Sequence, residues 1–176
     1  SWGDGNISGY SGTGPIGHIY ENNDVYNISL SGSASRISFG DDYLGMGPQA
    51  GDYFSGSHQA LIDILTSISS GIDGISSSEL MFAGVQNLKN PISRPDFFDD
   101  ISKNVITMRR MFANHIYNNP DIANSFNQSI SNWDTSSVKD MHAMFEYSYF
   151  NQDLSSWDVS SVEDMGWIFK SSKFNR

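Results

Sequence analysis

The sequence repeats itself at a fixed offset of 24 residues towards its C-terminal end. Phe126-Asn127-Gln128 returns as Phe150-Asn151-Gln152 and again as Phe174-Asn175. Trp133-Asp134 returns as Trp157-Asp158, Ser137-Val138 as Ser161-Val162, Asp140-Met141 as Asp164-Met165, and Phe145 as Phe169. Ungapped matches at one offset constrain the fold strongly. A block this short cannot bury its own apolar face, whereas stacked copies of it can.

Each copy carries a local code. Ser137-Val138-Lys139-Asp140 and Ser161-Val162-Glu163-Asp164 have the Ser-x-x-Asp arrangement of a capping box, in which the hydroxyl accepts from a free first-turn N–H. Val138, Met141 and Phe145 follow at i, i+3 and i+7, one stripe of a short helix, and Val162, Met165 and Phe169 repeat it. Phe126 to Ile130 and Phe150 to Leu154 read as short strands, each followed by a turn at the Trp-Asp dipeptide. The expected unit is therefore strand, turn, helix. Stacking such units gives a solenoid with parallel strands along one side.

More degenerate units precede these. Val105, Met108 and Phe112 repeat the stripe, with Asn104 as its cap. From Phe112 to Phe126 is 14 residues where Phe145 to Phe150 is 5, so a nine-residue insertion is expected in the loop from His115 to Ser125. Its Asn118-Asn119-Pro120-Asp121 is turn chemistry. Ile75, Met81 and Phe82 fall in the same frame, with Ser78 in place of a Met. A further helix is expected from about Ser57 to Ser70, striped by Leu61, Ile64, Leu65 and Ile68 and closed by Gly71.

Before residue 40 the apolar period changes to two. Tyr26, Ile28 and Leu30 alternate with polar residues, as do Ile37 and Phe39, and Ile16 to Tyr20 pairs across the turn at Asn22-Asn23-Asp24. This is the pattern of a small antiparallel sheet. Asp41 to Phe54, rich in Gly and Asp, reads as a linker. The expected division is thus a β segment over 1–40, a linker over 41–56 and the repeat array over 57–176, with clear 24-residue units from about 126.

Composition excludes several functions. The net charge of −10 would be repelled by phosphate backbones and by anionic lipid, which argues against nucleic acid as a partner. The most apolar stretch, Ala60 to Leu65, already contains Asp63, so no segment is expected to insert in a membrane. Cysteine is absent, which removes thiol catalysis, disulfide scaffolds and Cys-ligated zinc. The chain opens on Ser1-Trp2-Gly3-Asp4, with no initiator Met and no signal peptide, and reads as a piece of a longer protein.

The blocks from Phe126 to Phe145 and from Phe150 to Phe169 resemble the short repeat of BspA-like leucine-rich-repeat surface proteins, found in bacteria (mycoplasma surface lipoproteins among them) and in some phage and protist proteins. The resemblance covers Val105 to Arg176 well and Ile75 to Asn104 loosely. Trp2-Gly3-Asp4-Gly5, His18-x-Tyr20 and Val25-Tyr26-x-Ile28 resemble the signatures of PKD-like β-sandwich modules, although the strand before the Trp is missing and Asp24 stands where Gly is usual. Together these resemblances imply an α+β chain: a truncated, antiparallel PKD-like segment, then a leucine-rich-repeat-like α/β solenoid. They imply extracellular display at a cell surface and recognition or adhesion without catalysis, the partner being a protein or glycan on a cell or matrix surface. The alternative is a virion component, such as an oligomeric phage tail fibre that attaches to a host; a third reading is a spacer with no ligand.

Candidate ligand-binding residues follow from the strand pattern. Ser129, Ser131, Asp153 and Ser155 alternate with Ile130 and Leu154 and should point outwards, either as a recognition face or as an ordinary solvated one. Trp133 and Trp157 should stack in neighbouring units, either as an exposed ladder for sugar rings or as a packed corner of the core. Asn127, Asn151 and Asn175 suit a hydrogen-bonding ladder. No cofactor is implied. His18, His58, His115 and His142 share no metal-ligand spacing, and Asp41-Asp42 and Asp99-Asp100 do not match a calcium loop, so no metal site is assigned. No Ser occupies a Gly-x-Ser-x-Gly elbow, and no catalytic residues are assigned.

Overall fold

A computed structural model describes residues 32–34, 36, 72–85, 93–94, 96–114 and 124–176. Among these, named secondary structure is confined to β1 (Gly32–Ser33), β2 (Ile72–Asp73) and α1 (Asp99–Ser102). The rest is held by a different hydrogen-bond pattern.

That pattern recurs in turn runs beginning at Ser78, Met108 and Met141, and a fourth run from Met165 closes the same turns at Ile168, Lys170 and Ser172. Amides alternate in direction. Met81, Ala83 and Val85 donate three residues back, to the carbonyls of Ser78, Leu80 and Phe82. Ser78, Leu80, Phe82 and Gly84 donate instead to Thr107, Arg109, Met111 and Ala113 of the following block. Met108, Arg110, Phe112 and Asn114 donate in the same way to Asp140, His142, Met144 and Glu146. Met141, Ala143, Phe145 and Tyr147 donate to Asp164, Gly166, Ile168 and Lys170. Single parallel bridge pairs join Arg36 to Ser77, Ser77 to Thr107, Thr107 to Asp140 and Asp140 to Asp164, so equivalent residues lie in register.

The short helix expected at Val138, Met141 and Phe145 is absent; residues 142–147 run as turns. The physical reason is that half of the amides are committed to the neighbouring block and the others close three-residue turns, which leaves no four-residue ladder. Left-handed φ values at Ala143 and Tyr147 (both 55°), and at Trp167 (59°) and Ser171 (55°) one block on, break any helical run. A bulky residue in that region is strained. Here the bonds on both sides hold it in place. The stripe itself is inward as expected, with Val138, Met141 and Phe145 fully buried.

The capping residue also differs. Ser137 is exposed, and Asp140 caps the run instead, its Oδ1 accepting the His142 N–H at 2.8 Å. Ser77, Thr107 and Asp164 do the same two residues on, to Glu79, Arg109 and Gly166. One column of the stack therefore requires a short side chain bearing an oxygen, and Ser, Thr and Asp all satisfy it. Asn124, Ser148 and Ser172 form a second such column, accepting from Phe126, Phe150 and Phe174.

The core is built of aromatic columns. Phe82, Phe112, Phe145 and Phe169 stack with centroids 5.5, 5.7 and 5.7 Å apart. Phe126, Phe150 and Phe174 form a second column at 6.3 and 6.4 Å. Within a block the two columns meet, as Phe145 and Phe150 do at 4.1 Å. Beside α1, Phe97 and Phe98 pack against Trp133 at 5.9 and 4.5 Å. Thr107 and Asp140 pair across 33 residues where Asp140 and Asp164 pair across 24, which is the nine-residue surplus expected between Phe112 and Phe126.

At the N-terminal side, β1 pairs with β2 in parallel, Gly32 opposite Ile72 and Ser33 opposite Asp73. The antiparallel arrangement was expected to reach residue 40, yet Gly32, Ser33 and Arg36 join the same parallel ladder as the later blocks. The strands at Ile16–Tyr20 and Tyr26–Leu30, the linker over 41–56 and the helix expected near 57–70 lie outside the described residues.

Candidate recognition surface

Phe126 to Ser131 and Phe150 to Ser155 take no named strand, because side chains rather than backbone ladders carry their rungs. Asn127 Oδ1 accepts the Asn151 N–H at 2.8 Å and is 3.2 Å from the Gln152 amide nitrogen, and Asn151 Oδ1 accepts the Asn175 N–H at 3.1 Å. This is the asparagine ladder that the sequence pattern suggests. It holds the segments in a fixed register and frees their alternate residues for the outside.

Ser129, Ser131, Asp153 and Ser155 are all exposed, while Ile130 is fully buried and Leu154 packs against the core. Ser129 and Asp153 thereby share one column and Ser131 and Ser155 the next, each pair 24 residues apart. The Ser129 and Ser131 hydroxyls lie 3.1 Å apart, and the Ser156 hydroxyl donates to the Ser131 carbonyl at 2.6 Å. Asp153 Oδ1 accepts the Ser155 N–H at 2.9 Å, and that bond holds its carboxyl below the ordinary value. The face offers hydroxyls and one ionised carboxylate, suited to hydrogen bonding with polar groups of a partner.

Trp133 and Trp157 are not part of it. Both are buried, stacked at 6.5 Å and 10° to one another, and the Trp157 indole N–H donates to the Ile130 carbonyl at 3.0 Å. Phe97 and Phe98 pack against Trp133, and Phe145 against Trp157. The reading of these residues as ligand-binding is corrected: they are a packed corner of the core.

The sequence reading missed a second, partly exposed group of charged side chains. Arg109 Nη1 lies 3.7 Å from Asp140 Oδ2 and 4.0 Å from Asp164 Oδ2, and His142 Nδ1 lies 3.2 Å from the same Asp164 oxygen. Trp167, 55% exposed, lies beside them, with Lys170 Nζ 4.0 Å over its ring. The column of Asp140 and Asp164 was visible in the repeat; Arg109 was hidden by the insertion that breaks its spacing. Among the described residues, no three His, Asp or Glu side chains gather closely enough to hold a metal ion, and no helix is long and apolar enough to cross a membrane. Asp99 accepts from the Asn132 amide. Asp41-Asp42 lies outside the described residues.

Four exposed carboxyls share a local cause for their acidity. Asp134 and Asp158 accept from the hydroxyl and N–H of Ser136 and Ser160, Asp153 from Ser155, and Asp164 from Gly166 with help from His142 and Arg109. Each is held below the ordinary value of 3.8, so the unfolded chain binds these protons more readily. Their contribution to stability is complete above that value and is lost as pH falls through the lowered folded values. The melting temperature is expected to decline from about pH 4 downwards, as followed by circular dichroism. Asp134→Asn with Asp158→Asn should flatten part of that decline, because the amide oxygen still accepts the N–H but does not titrate.

A family described as Mycoplasma protein of unknown function, DUF285, matches residues 76–176. The chain belongs to that family. The matched region starts beside the bridge residue Ser77 and takes in the turn runs, the Asn124, Ser148 and Ser172 column and the exposed face. No curated protein and no solved structure matches the chain.

Proposed function

We propose that this DUF285 chain is a non-enzymatic recognition and adhesion module of a larger surface protein. In this reading its repeats are of the BspA-like leucine-rich type, displayed outside the cell, and they engage a protein or glycan of a cell or matrix surface. The observation that carries the reading is the exposed register of Ser129, Ser131, Asp153 and Ser155, held by the asparagine ladder over a buried aromatic core. A face that recurs from block to block presents the same chemistry at regular intervals, which suits an extended partner. Membership of a Mycoplasma-associated repeat family is consistent with surface display.

The test is binding. The chain should bind saturably to whole cells, to immobilised matrix proteins or to a glycan array. Replacing Ser129, Ser131 and Ser155 together by Arg should weaken that binding at least about tenfold, an order set by loss of a few interface contacts. The melting temperature should remain within a few degrees. No saturable binding on any of these surfaces would leave the chain a spacer. Binding untouched by the triple substitution would move the site elsewhere.

A further inference from the structure

We propose that His142 is a proton-operated clasp across the boundary between its own block and the next. Its imidazole reaches over that boundary, with Nδ1 3.2 Å from Asp164 Oδ2 and 3.4 Å from Oδ1. Gly166 makes the space. A Cβ at Gly166 would lie 3.0 Å from His142 Nδ1, 3.1 Å from Asp164 Oδ1 and 3.3 Å from His142 Cε1, so a side chain there would require one of the two partners to shift by a few tenths of an ångström. Trp167 flanks the imidazole, the two centroids 5.5 Å apart at 43°. The His142 side chain is 18% exposed, which limits screening by solvent on its side of the contact.

Charged groups surround this contact. Arg109 faces both Asp140 and Asp164. With a neutral imidazole these three groups carry one excess negative charge; an imidazolium balances them. Lys170 opposes this from over the Trp167 ring; the Glu146 carboxylate 3.2 Å from it is shared with Arg110 and offsets only part of that charge. Lys139 and Glu163 pair with each other at 3.3 Å and add no net charge. Histidine is the side chain whose ordinary titration falls between pH 5 and 8. Adding its proton makes the contact with Asp164 charge-assisted and stronger. Asp164 Oδ1 also accepts the Gly166 N–H at 2.7 Å, and the Met141 and Ala143 amides donate to the carbonyls of Asp164 and Gly166. The clasp therefore acts where the two blocks are joined.

The experiment is amide exchange on the whole chain by NMR at about pH 5.5 and about pH 8, spanning the histidine range, with rates corrected for intrinsic exchange. The Met141, Ala143, Phe145 and Tyr147 amides should be protected about two- to fivefold more at the lower pH, the scale of a partly exposed ion pair. Ser78, Leu80, Phe82 and Gly84, which occupy the same positions two blocks earlier, should show no such change. His142→Gln and Asp164→Asn should each abolish the difference, the Asn still accepting the Gly166 N–H. Equal protection at both pH values, or an undiminished difference in His142→Gln, would overturn the proposal. Should both variants unfold, the native chain still decides. Its protection must change with the same midpoint as the His142 Cε1 proton resonance, and a different midpoint refutes the clasp.

Discussion

Phe145→Ala is expected to lower the free energy of unfolding by about 3–5 kcal/mol, read from a urea titration. The ring is fully buried and has aromatic neighbours on every side: Phe112 at 5.7 Å, Phe169 at 5.7 Å, Phe150 at 4.1 Å and Trp157 at 6.4 Å. Of those neighbours, Phe112 is tied to Met144, Phe150 to Ser148 and Trp157 to Ile130 by hydrogen bonds, so they cannot collapse far into the cavity. Poor relaxation places the cost towards the upper end of the range. Ser131→Ala, on the exposed face, should change stability by less than about 0.5 kcal/mol. Equal costs for the two substitutions would reverse the assignment of inside and outside.

Glu146→Ala should cost about 3 kcal/mol, for a different reason. Glu146 is 1% exposed and occupies a column where the earlier blocks have Ala83 and Ala113. Its Oε2 lies 3.8 Å from Arg110 Nη1, and its Oε1 lies 3.2 Å from Lys170 Nζ. Lys170 is 37% exposed and can turn to water, but Arg110 is nine-tenths buried and cannot. Removing the acid strands a guanidinium in the core, whereas replacing a buried pair by apolar groups is close to neutral. The first turn run supplies the replacement, with Leu80 at the position equivalent to Arg110 and Ala83 at that of Glu146. Arg110→Leu combined with Glu146→Ala is therefore expected to recover most of the loss. A double variant as unstable as Glu146→Ala alone would mean that the acid is needed for more than neutralising Arg110.

The sequence made the columns legible but not the backbone between them. The 24-residue offset identified which residues stack, and Phe145 over Phe169, Trp133 over Trp157 and Asn127 over Asn151 all meet as that spacing requires. It also revealed the nine-residue insertion, because a surplus in spacing survives whatever the local conformation. The helix was misjudged because Val138, Met141 and Phe145 satisfy an i, i+3, i+7 stripe, which a chain of tight turns satisfies equally. Burial of every residue from Ala143 to Glu146 is the sign of a run covered on more than one side, and a single-face pattern does not anticipate it. Glu146 illustrates the same limit. Its partners, Arg110 and Lys170, sit in the blocks before and after, and no local window of sequence brings them together. On the exposed face, alternation placed Ser129, Ser131, Asp153 and Ser155 correctly, whereas burial of the two Trp residues depended on neighbours such as Phe98, outside the clear repeat.

The alternating amides of the turn runs have a geometric consequence. In an ordinary strand the donors and acceptors along one edge alternate, so like edges from two molecules can zip together. In the backbone–backbone bonds that each turn run makes to other blocks, the hydrogens point to the higher-numbered neighbour and the oxygens to the lower. Two identical flanks brought face to face would oppose hydrogen to hydrogen or oxygen to oxygen. Symmetric zippering through this part of the backbone is therefore disfavoured, and only unlike flanks are complementary, which gives the stack a sense of direction along its length.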